Sequence, residues 1–176
     1  MAEALLITRQ DVVKFTAMNG NVDTDNFIQY VKIAQDIHIQ NYLGTDLLEK
    51  IKSDIENDTL SGDYLALTVT YVKPMLIHWA MVEYLPFAAY TIANKGVYKH
   101  NSENATNVEK NEIDFLIEKE RQIAQHYTER FIEHISFNTD KFPEYNSNSN
   151  GDMYPDTNNN YTGWYLWRSI DQKTKT

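Results

Sequence analysis

Residues Gly62 to about Ala93 constrain the fold most, because Tyr64, Leu67, Tyr71, Val72, Met75, Leu76, Trp79, Met81, Val82 and Leu85 leave little polar face. A helix apolar nearly all round has to be covered on every side, which predicts a central, buried helix in a bundle. A membrane span competes with this, since Met75 to Ala93 has roughly the ~20 residues a span needs. His78, Glu83 and Pro86 lie inside that window, and burying charge in lipid costs a few kcal/mol, so a core helix and no membrane is expected. Pro74 and Pro86 each lack an amide donor and should divide the helix into two or three collinear pieces.

The flanking segments supply helices to cover it. Thr8 and Asp11 have the spacing of a capping box, which predicts a short helix from Arg9 to Phe15. Asn19-Gly20-Asn21 is a turn signal, and Asp23, Thr24 and Asp25 cap the next helix. In that helix Phe27, Val31, Ala34 and Ile37, with Ile28, Tyr30 and Ile33, keep helical spacing up to a Leu43-Gly44 stop. Thr45 and Asp46 restart the chain, with Leu47, Leu48, Ile51 and Ile55 on one face and an end at Asn57-Asp58. Residues 94–107, with Gly96 and Asn101-Ser102-Glu103-Asn104, predict a polar loop or hairpin. From Glu109 to Phe137, Ile113, Leu116, Ile117, Ile123, Ala124, Tyr127, Phe131 and Ile135 form one stripe on a helix of about 40 Å. The expected fold is therefore all-α, a small bundle of four to five helices over residues 1–137.

Beyond Phe137 the character changes. Residues 138–176 hold Asn146-Ser147-Asn148-Ser149-Asn150 and Asn158-Asn159-Asn160, runs too polar for a core of their own. The same stretch carries Phe142, Tyr145, Tyr154, Tyr161, Trp164, Tyr165 and Trp167, the side chains that anchor interfaces. Together with Pro143 they predict an extended C-terminal arm that docks on a partner and becomes ordered there.

Charge and composition narrow the chemistry. A net charge of −9 disfavours a tight grip on nucleic acid, which needs Lys and Arg to displace phosphate counterions, and a DNA-binding regulator with it. Cysteine is absent, which removes disulfides, thiolate zinc sites and cysteine nucleophiles. The first residues lack the basic and apolar regions of a signal peptide, so a cytoplasmic site of synthesis is expected. No phosphate loop, dinucleotide fingerprint, nucleophile elbow or zinc helix motif occurs. Glu-x-x-His, required for a di-metal bundle, fails at His38, His78, His100, His126 and His134. His126 and His134, with Glu129 and Glu133, are the one combination a metal-dependent helical enzyme could use, and their spacing suits a charged surface better. No catalytic residue, cofactor or metal is expected.

Two stretches, Phe27-Ile28-Gln29-Tyr30-Val31-Lys32-Ile33-Ala34-Gln35 and Tyr42-Leu43-Gly44-Thr45-Asp46-Leu47-Leu48, precede the apolar helix and the long amphipathic one. This layout resembles the head-tail connector (adaptor) proteins of tailed bacteriophages, including those of crAss-like and other Bacteroides phages. The resemblance covers about residues 5–137, with Asn101-Ser102-Glu103-Asn104 and Phe142-Pro143-Glu144-Tyr145 adding to it. It implies a structural virion protein, assembled in the host cytoplasm, whose copies form a ring, usually twelvefold, beneath the portal protein. Tail components or further ring proteins would follow, and DNA would pass through the channel without specific binding. Without the arm the body carries −8, which suits an acidic channel wall. The aromatic arm departs from the shorter connectors.

Overall fold

Thr8 opens the first helix through reciprocal bonds: its amide donates to Asp11 Oδ2 at 2.8 Å, and the Asp11 amide donates to Thr8 Oγ1 at 3.4 Å. This caps α1 (Arg9–Phe15). The computed structural model describes residues 4–16, 18, 24–88, 90–93, 96–99, 110–147 and 149–157. Within them the fold is an all-α bundle of five helical rods with one short hairpin.

The second rod runs through α2 (Thr24–Ala34), a π-turn (Gln35–Ile39) and α3 (Gln40–Leu43). The π-turn adds a residue to the helical repeat, so the stripe expected from the sequence breaks there. Ile33 and Ile37 face solvent instead of the core, and Gln35 turns inward. Both ends of its buried amide are engaged: Nε2 donates to the Ala4 carbonyl and Oε1 accepts from the Leu6 amide, both at 3.1 Å. One side chain thus ties the N-terminal segment down and satisfies two backbone groups that would otherwise be buried without partners.

Gly44 (φ +75°, ψ 161°) bends the chain into α4 (Thr45–Glu56), whose Leu47, Leu48 and Ile51 are buried. The apolar rod follows as α5 (Gly62–Leu67), a second π-turn (Thr68–Val72), α6 (Lys73–Tyr84) and a 3-10 turn (Leu85–Phe87). The collinear pieces expected from the two prolines are present. Pro74 follows the widened turn, and Pro86 lies in the 3-10 turn that ends the rod. By length and apolarity this rod could cross a membrane. Here Met75, Leu76, Ile77, Trp79, Ala80, Met81 and Val82 are buried, with α6 packed between α2 and α7.

The helix expected up to Ala93 ends earlier. Tyr90–Ala93 (β1) pairs antiparallel with Gly96–Lys99 (β2), Tyr90 opposite Lys99 and Ala93 opposite Gly96, so a hairpin begins before residue 94. The remainder of the expected loop up to residue 107 lies outside the described residues. The long helix is α7 (Lys110–Phe137), and only its C-terminal half is core: Ala124, Thr128, Phe131, Ile132 and Ile135 are buried. Leu116 and Ile123 of the expected stripe are exposed. Trp79 Nε1 donates to Thr128 Oγ1 at 3.1 Å and fixes α6 on α7.

Candidate interaction site, a docked C-terminal strap

The body does not end at Phe137. Two 3-10 turns, Thr139–Lys141 and Pro143–Asn146, carry Phe142 and Tyr145 back into the core, where both are buried. Phe142 meets the Tyr64 ring edge-on with centroids 5.4 Å apart, and Tyr145 packs against Phe131. Tyr64 donates to Glu144 Oε2 at 2.6 Å. These two aromatics, expected to dock on a partner, are therefore internal anchors of the subunit. Beyond Phe137, Phe142, Tyr145 and Pro155 are buried against the body, and the Asp156 amide bonds the Asn41 carbonyl.

From Ser147 the chain runs as a strap over the junction between α3 and α4. Asp46 receives it. Its Oδ2 accepts from the Ser147 hydroxyl (2.7 Å), the Ser149 amide (2.8 Å) and the Ser149 hydroxyl (2.7 Å), and its Oδ1 accepts from Asn150 Nδ2 (2.9 Å). The Ser149 amide and hydroxyl, then the Ser147 hydroxyl, favour the charged carboxylate and hold Asp46 down to about 2. The Asn/Ser run that could not support a core thus acts as a set of hydrogen-bond donors.

Thr45 continues the dock. Its amide donates to the Met153 carbonyl at 3.0 Å, its hydroxyl accepts from the Met153 amide at 3.1 Å, and it donates to Asp152 Oδ2 at 2.9 Å. Gln40 Nε2 also reaches Asp152 Oδ2 at 3.0 Å. Pro155, buried, lies over Gly44, where an added Cβ would stand 2.7 Å from the proline ring. Asp156 closes the strap by donating its amide to the Asn41 carbonyl at 2.8 Å.

The other expected docking residues divide between exposed and undescribed positions. Pro143 is exposed at the start of its turn, and Tyr154 is 56% exposed with its hydroxyl donating weakly to the Asn146 carbonyl at 3.4 Å. Tyr161, Trp164, Tyr165 and Trp167 lie outside the described residues. Reasoning from sequence missed Gln40, Thr45 and Asp46 as the receptor. Thr45 and Asp46 follow a left-handed glycine, but the donors to Asp46 stand about a hundred residues away.

Titratable side chains elsewhere serve packing. His38 stacks on Trp79 with centroids 3.9 Å apart and bonds Glu83 at 2.9 Å. Burial lowers its pKa against the opposing pull of Glu83, and nearby Arg121 lowers it further. His78 bonds Glu120 at 2.8 Å, and His134 stacks on Tyr71. His134 is also lowered, by burial first and then by Lys141. Among the described residues no three His, Asp or Glu side chains converge as a metal site would require.

A depressed histidine pKa means the folded state resists protonation. The contribution is present above the ordinary value of 6.5 and is lost as pH falls through the lower folded value. Stability measured by urea unfolding should therefore decline below pH 6.5, and His38→Gln should flatten that decline.

No curated protein and no solved structure matches the chain. A family model does, over residues 39–155, a span running from the end of the first π-turn to the proline seated on Gly44. By that match the chain belongs to DUF6712, a family of unknown function.

Proposed function

We propose that this chain is a structural subunit of a tailed-phage head-tail junction: a connector whose copies form a ring beneath the portal, around a channel through which DNA passes. The observation that carries this is the strap dock. Tyr42 to Leu48, residues on which the resemblance to connectors rests, hold the C-terminal segment by hydrogen bonds to Thr45 and Asp46. A helical body that clamps its own chain at Asp156 fixes the place from which the aromatic-rich remainder departs. That placement suits docking on portal or tail components without cofactor or chemistry, in a virion assembled in the host cytoplasm.

The aromatic residues beyond the strap are the docking side chains in this proposal. Trp164→Ala with Trp167→Ala should weaken binding of the purified subunit to portal rings by a few kcal/mol, as hot-spot tryptophans do. Its urea unfolding midpoint should stay unchanged. Wild-type binding to portal rings measured by sedimentation is the test; full-strength binding by the double variant would remove the docking role, and no binding by the wild type would remove the connector proposal.

A further inference from the structure

Two apolar surfaces stand uncovered among the described residues, and they are unlike. The first is a groove of about 390 Å³ between α1, the second π-turn, the start of α6 and the middle of α7. Phe15 and Val69 form its rims, 57% and 50% exposed. It holds two lysines against one carboxylate: Lys73 reaches Asp11 at 3.4 Å, while among the described residues Lys14 meets the Phe15 ring, 5.2 Å away. On a chain of net charge −9 the groove lining keeps one net positive charge, that of Lys14 beyond the Lys73–Asp11 pair.

The second surface is the outer half of α7. Phe115 and Leu116 project there, 61% and 47% exposed, on a stretch where the acids Glu112, Asp114 and Glu118 outnumber the bases Lys110 and Lys119, the latter 5.8 Å from the Phe115 ring centroid. Asp114 has no partner among the described residues. Apolar side chains flanked by acids on one surface match apolar walls flanked by lysines on the other, and an aromatic ring beside Lys14 gains a cation–π contact. The match cannot be made within one subunit. Tyr127 lines the groove and Phe115 precedes it by twelve residues on the same continuous helix, which holds them about 18 Å apart along the axis.

We propose that Phe115 and Leu116 of one copy seat in the Lys14–Lys73 groove of the next. A contact between two different patches of identical subunits is heterologous and repeats head to tail, closing into a ring where the rotation permits. Only the closure rests on the connector proposal; the contact does not.

The absence of cysteine makes the test direct. Val69→Cys and Asn111→Cys change two exposed side chains beside the contact and keep Phe115, Leu116, Lys14 and Lys73 in place. Under mild oxidation the double variant should form a covalent ladder of dimers, trimers and higher species, while a mixture of the two single variants should stop at dimers joining one of each. A ladder ending in one closed species supports both contact and ring; a ladder without end supports the contact and overturns the ring. Monomer only, or Asn111→Cys cross-linking chiefly to itself, overturns the contact.

Discussion

Removal of residues 138–176 is expected to unfold the protein, whereas removal of 158–176 is expected to leave its helicity intact. The longer deletion takes Phe142 and Tyr145 out of the core, where they are 1% and 4% exposed. Losing a buried aromatic costs ~3–5 kcal/mol, and two such losses rival the ~5–15 kcal/mol of a whole domain. Circular dichroism and urea unfolding of the two truncations distinguish them. Single substitutions sharpen the result. Phe142→Ala should cost ~3–5 kcal/mol. Tyr145→Phe should cost little, because the Tyr145 hydroxyl is buried without a partner among the described residues and deleting an unsatisfied group carries no penalty. Burial also pushes that phenol up to about 12, so it stays protonated throughout the usable pH range. A stable, helical 1–137 fragment would show that the two aromatics are dispensable.

Gly44→Ala should release the strap, the second large effect. At φ +75° and ψ 161° the backbone occupies a region open essentially to glycine, and a side chain there costs ~1–3 kcal/mol before any collision. The collision adds to it, since the new Cβ would stand 2.7 Å from Pro155. The strap, held by part-buried hydrogen bonds and one buried proline, should yield before the helix junction does. Asp46→Ala should release it by another route, removing the acceptor of four donors. Amide exchange over residues 147–156 should accelerate in both variants while exchange in α6 stays slow. Acid should mimic Asp46→Ala. With its folded pKa depressed, the carboxylate's contribution is present above about 3.8 and is lost as pH falls toward 2. Unchanged protection of residues 147–156 in Asp46→Ala would mean that Thr45 and Pro155 hold the strap alone.

Local signals placed most helices well. The Thr8–Asp11 pair and the Leu43-Gly44 stop act over a few residues, and α1 and the α3–α4 junction fall where those residues put them. What was not legible depends on distant chain. Ile33 and Ile37 keep perfect helical spacing, yet the π-turn that buries Gln35 against Ala4 and Leu6 turns them outward. Leu116 and Ile123 belong to an unbroken stripe, but a stripe cannot say how far its covering elements extend. The aromatic content of residues 138–176 was real information read in one direction only: Phe142 and Tyr145 serve the subunit itself. Nothing near Asp46 in the sequence announces Ser147, Ser149 and Asn150.

The strap also sets the order in which the chain can finish folding. Its bonds join residues 40–46 to residues 147–156, separations of 101 to 115 positions, whereas the bundle's helices form from near neighbours. Contacts so remote bear the largest loop-closure entropy and form only once nearly all of the chain is available. The latch should therefore close late, after α6 and α7 have met. Substitutions in it should speed unfolding and leave the folding rate almost untouched, as late-forming contacts do. During synthesis, the site from which the last residues emerge would be assembled only on a body already built.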